Sequence, residues 1–135
     1  YLLEIPMPEL YDVSFDVSIY LQEGYADISI SPKNWSGYYV VQLIPDSSFY
    51  YVPKGERLSD TSLRAMSNDF YKQARQAVQG GATVDAFLKG SCQQGNRSIK
   101  VSIDSNTRYM IAVFAVESKN GSIPVMCSMP YIAYM

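Results

Sequence analysis

The first half of the chain alternates apolar and polar positions with a period of two. Val13, Phe15, Val17 and Ile19 fall on one face of an extended segment, which predicts a half-buried strand. After Gly24 the same alternation returns at Ala26, Ile28 and Ile30 and ends at Pro32. Tyr38 to Ile44, rich in Tyr and Val, predicts a third strand, stopped by Pro45, which has no N–H for a ladder. Phe49 to Val52 predicts a short fourth strand closed by Pro53.

The period then lengthens. Leu63, Met66, Phe70, Ala74, Ala77 and Val78 follow helical spacing, with Ser59 or Asp60 as N-cap and Gly80-Gly81 as the stop. Thr83 caps a shorter helical segment, Val84 to Lys89, whose apolar residues are Val84, Phe87 and Leu88. Strand character returns at Ser98 to Ile103, then at Tyr109 to Val116. The Asn120-Gly121 turn leads into a last strand from about Ile123 to Tyr134. Pro124 and Pro130 confine that last strand to a sheet edge.

These elements predict a single mainly β domain over 1–135. It holds about seven antiparallel strands, a helical insertion at about 60–90 between the fourth and fifth, and an N-terminal extension over 1–12. The apolar stripe of the insertion must lie against a sheet.

One corner is more specific. A strand ends at Ile103, five polar residues turn the chain, and Tyr109 opens a strongly apolar strand. A Tyr in that place can bury its ring between two sheets while its hydroxyl bonds back to backbone before the turn, the tyrosine corner of β-sandwiches. The stretch SIDSNTRYMIAVFAVESKNGS resembles the fibronectin type III-like (Ig-like) family. FDVSIYLQEGYADISISPKNWSGYYVVQL, followed by the helical pieces LSDTSLRAMSNDFYKQARQAV and TVDAFLKG, is similar to a variant found in cell-surface lipoproteins of Bacteroides-type gut bacteria. The resemblance implies an antiparallel β-sandwich with a helical insertion. It also implies export to the cell surface or periplasm, a lipid anchor outside this stretch as the only membrane attachment, and a binding or spacer role. The sequence departs from the family at Trp35, which follows Pro32 in a loop position, whereas the family keeps its core Trp in the second strand.

Composition narrows the chemistry. With no histidine, the Ser-His and Cys-His nucleophile pairs are excluded. With two cysteines, Cys92 and Cys127, zinc is not expected, and no cofactor motif is present. The two thiols are candidates for a disulfide in an oxidising compartment. Eleven basic against 13 acidic residues, with no run of Lys or Arg, exclude a nucleic-acid surface. The acidic residues read as surface charge, and no enzyme is expected.

Tyrosine is abundant, 12 in the chain, and Tyr38-Tyr39 and Tyr50-Tyr51 are adjacent pairs. Neighbouring strand residues face opposite sides, so one ring of each pair points away from the core. Trp35, Tyr38, Tyr50 and Tyr51 are therefore the candidate binding residues, for a protein or glycan partner. An aromatic platform of a carbohydrate-binding module is the alternative reading.

Overall fold

The computed structural model of the chain describes residues 10–135, so the N-terminal extension expected over 1–12 lies largely outside the described residues. The described chain is mainly β. Its first sheet has three strands: β1 (Phe15–Gln22) pairs with β2 (Tyr25–Pro32), which pairs with β5 (Arg97–Ser102). The second sheet is built on β3 (Tyr38–Pro45) and β6 (Tyr109–Glu117), in register from Tyr39↔Ala115 to Pro45↔Tyr109. A two-residue strand, β4 (Gln93–Gln94), lies on the free edge of β3. β7 (Val125–Met126) and β8 (Tyr131–Tyr134) share the opposite edge of β6. All these pairings are antiparallel.

The second sheet is covered on both faces, and β6 shows why its sequence is so apolar. Ile111, Val113 and Ala115 join Tyr39 of β3, Phe15 of β1 and Ile28 and Ile30 of β2 in one cluster between the sheets. The alternate residues Met110, Ala112, Phe114 and Val116 face the helices with Val40 and Ile44. A strand buried on both sides loses the polar alternation of a half-wet strand and reads as a continuous hydrophobic run.

The helices α1 (Asp60–Gln79) and α2 (Val84–Ser91) carry the covering stripe. Leu63, Met66, Phe70 and Ala74 of α1 and Phe87 and Leu88 of α2 are buried in the same cluster as Phe114. Ser59, rather than Asp60, caps α1, its hydroxyl accepting from the Ser62 N–H at 3.1 Å. Thr83 caps α2, accepting from Ala86 N–H at 3.0 Å.

Two expected strands change. Phe49 to Val52 is no strand. The Ser48 N–H donates to the Pro45 carbonyl (2.9 Å) and the Tyr51 N–H to the Ser48 carbonyl (3.1 Å), so the chain turns after β3. Pro45 and Pro53 deprive both ends of that segment of ladder donors. The helices therefore follow the third strand, and the strand that pairs with the free edge of β3, at Tyr38 and Tyr39, is β4, beyond them. The expected strand from Ile123 to Tyr134 is divided into β7 and β8. At the division Ser128 replaces the backbone partner: its hydroxyl accepts from the Ala115 N–H at 2.8 Å.

The cysteine pair is not bridged. Both thiols are free and buried, Cys92 on the helix side of the second sheet and Cys127 between the sheets. The sheet itself lies between them. Burial pushes Cys92 up to about 11 and Cys127 up to about 12.

Candidate functional site

A cleft of about 640 Å³ opens where three segments meet. These are the loop Trp35–Gly37 with Tyr38 at the start of β3, the first turn of α2, and the chain leaving β6 at Glu117-Ser118 with Gly121 beyond. That volume is in the range of small-ligand sites. Val84, Leu88 and Val116 supply apolar surface, Ser36, Thr83 and Ser118 hydroxyls, and Asp85 and Glu117 carboxylates.

Local rules set the geometry. The Trp35 indole N–H donates to the Tyr38 carbonyl at 2.8 Å, which folds the ring back over the loop. Gly37 makes room for it: a Cβ there would fall 2.9 Å from Cζ2 of Trp35. On the opposite wall, Asn120 (φ 54°) and Gly121 (φ 76°) form a turn with positive φ at both central residues, closed by the Ser122 N–H to the Lys119 carbonyl at 3.0 Å. This turn brings Ser118 and Gly121 to the cleft.

Tyr11 buttresses the wall. Its N–H donates to the Cys127 carbonyl at 2.7 Å and it makes an isolated parallel bridge with Ser128. Its ring lies 6.1 Å from that of Trp35 at an interplanar angle of 34°. The Tyr11 phenol is raised above its ordinary value, first by hydrogen bonding to Glu117 and then by burial, with Lys119 acting in the opposite sense. Lys119 Nζ lies 3.9 Å from Glu117 Oε2 and 5.9 Å from the Tyr11 ring centroid.

The four sequence candidates do not form one surface. Trp35 and Tyr38 line this cleft, whereas Tyr50 and Tyr51 lie beyond the far end of β3. Tyr50 lines a separate cavity of about 390 Å³ with Met66 and Asp69, and its hydroxyl donates to the Asp69 carboxylate. Burial, then that carboxylate, push its phenol up to about 12. Tyr51 packs edge-on against Tyr134, centroids 6.4 Å apart. None of the four is fully exposed. Tyr109 is half-buried at the start of β6, and its hydroxyl accepts from the Asp104 N–H at 3.0 Å.

Several residues escaped the sequence reading. Among the described residues, Tyr20 (65% exposed) and Phe49 (69% exposed) are the most open aromatics. Tyr20 was legible, because it occupies the polar parity of the alternation that buries Phe15. Tyr11, Asp85 and Glu117 carried no local signal, since what makes them neighbours is tertiary. No family model, curated protein or solved structure matches the chain.

Proposed function

We propose that this chain is a non-catalytic binding module, a fibronectin type III-like sandwich with a helical insertion, belonging to an exported cell-surface protein. Strand order supports the sandwich reading. The first, second and fifth strands share one sheet and the third, sixth and last share the other, as Ig-like topology requires. The Tyr109 hydroxyl reaching back to Asp104 is the bond expected of a tyrosine corner. Export and lipid anchoring rest on the family resemblance alone.

The observation that carries the binding reading is the cleft at Trp35 and Tyr38, with rings, hydroxyls and carboxylates converging on one concavity. Against catalysis stand the lack of histidine and the burial of both thiols. Of the two carboxylates in the cleft, Glu117 lies 3.9 Å from the Lys119 ammonium. The carbohydrate reading keeps Trp35 and Tyr38, beside the hydroxyls of Ser36, Thr83 and Ser118, and gives up Tyr50 and Tyr51 as platform residues.

Trp35 is the single tryptophan, so its emission reports directly on this cleft. A glycan array followed by fluorescence titration tests the reading. Bound ligands are expected to shift the emission and to be excluded by Ser36→Arg, a bulky change at an exposed position on the rim. Ligands that bind the Ser36→Arg protein unchanged would place recognition elsewhere on the molecule.

A further inference from the structure

We propose that the Trp35–Tyr38 cleft recognises a cation, namely an ammonium group carried on an alkyl arm. This deepens the binding reading and rests on it.

Charge is the first argument. Among the described residues, the only ionised side chains lining the cleft are Asp85 and Glu117, both acidic, and no Lys or Arg lines it. Shape and surface are the second. Trp35 and Tyr38 both line the cleft, aromatic rings attract cations through their quadrupoles, and Val84, Leu88 and Val116 offer apolar cover to an alkyl chain. The third argument is internal. Lys119 sets its ammonium 3.9 Å from the Glu117 carboxylate and 5.9 Å from the centroid of Tyr11, the ring that packs on Trp35. The molecule thus already combines an ammonium, this carboxylate and an aromatic ring beside the cleft. An incoming ammonium would use the same carboxylate from the cleft side.

One element opposes a cation. The first turn of α2 lines the cleft, and a helix N-terminus carries partial positive charge. That end is offset here, since the Thr83 hydroxyl takes up the Ala86 N–H and Asp85 sits in the first turn. Glu117 is therefore the residue expected to set affinity. Exchange for Gln keeps its shape and removes its charge.

The experiment titrates the protein with Nα-acetyl-lysine methylamide and with cadaverine, following Trp35 emission and the backbone amide shifts of residues 83–88 and 116–118. Controls are the Nε-acetylated lysine derivative, 1,5-pentanediol and a panel of neutral oligosaccharides. Saturable shifts with both amines are expected, weakened about tenfold or more in the Glu117→Gln protein and by raising salt from ~50 to ~500 mM. Tighter binding of the lysine derivative would identify a protein side chain as the source of the cation, and tighter binding of the diamine a free amine. Both results support the proposal. Amide spectra of the Glu117→Gln protein that otherwise overlay those of the parent show that it is folded. Neutral sugars shifting these resonances while amines do not would overturn cation recognition and leave the cleft as the binding site. Amines bound equally by parent and Glu117→Gln would also overturn it. No shift with any probe would count against both the cation and the cleft.

Discussion

The phenol oxygen of Tyr109 accepts a hydrogen bond from the backbone N–H of Asp104 at 3.0 Å, tying the start of β6 to the turn that precedes it. Asp104 in turn holds the turn from within, its Oδ1 accepting from the Asn106 N–H at 3.0 Å. Tyr109→Phe keeps the ring and removes the acceptor. A loss of about 1 kcal/mol is expected from the hydrogen bond alone, read from urea unfolding. An unchanged unfolding midpoint would mean that this bond does not stabilise the corner.

Gly37 and Trp35 make the tightest glycine contact in the fold. A Cβ at Gly37 would meet Cζ2 at 2.9 Å and Cε2 at 3.0 Å, so Gly37→Ala must push the indole outward. Because the indole N–H is bonded to the Tyr38 carbonyl, that displacement breaks or lengthens the bond. Expected results are a red-shifted Trp emission and a moved indole N–H resonance. An emission spectrum identical to the parent's would contradict this geometry.

Phe114 is fully buried and meets Phe70 of α1 edge to face, centroids 6.0 Å apart at 84°. The contact joins helix to sheet, so Phe114→Ala is expected to destabilise the fold by about 3–5 kcal/mol. Tyr20, which is 65% exposed, provides the comparison. Tyr20→Ala is expected to change stability by no more than about 0.5 kcal/mol. Chemical denaturation of the two variants side by side checks both figures.

Alkaline pH is expected to weaken the fold through Cys92, Cys127 and Tyr50. Folding raises Cys92 from 9.0 to about 11, Cys127 from 9.0 to about 12, and Tyr50 from 10.0 to about 12. The native state favours the protonated forms, so their contribution is complete below the ordinary values. It is lost as pH rises through the folded ones. Urea midpoints should therefore hold to ~pH 8 and fall by ~pH 10.5. In the same protein, thiol reagents at neutral pH should label neither cysteine until urea is added.

Much of the fold was legible because burial on one face leaves a period in the sequence. The alternation of β1 and β2, the stripe on α1 and the two caps could be read from neighbours a few residues apart. The misread strand at Phe49 to Val52 shows the limit. Its residues suit a strand, yet a strand needs an edge to pair with. Here the chain turns directly after Pro45, and what pairs with the edge of β3, at Tyr38 and Tyr39 alone, is Gln93-Gln94 from beyond the helices. The last strand failed similarly, because its division depends on Ser128 meeting Ala115 across the sheet.

Local pattern determined most of the extended segments and both helices, since hydrophobic period, proline and capping act over a few residues. Tertiary structure alone decided the rest. It put Cys92 and Cys127 on opposite faces of one sheet, parted Tyr50 and Tyr51 from Trp35 and Tyr38, and gathered Tyr11, Asp85 and Glu117 around the indole. The physical reason is that a cleft is made by side chains far apart in the chain. Their meeting depends on sheet order and helix docking, for which no single segment carries a period.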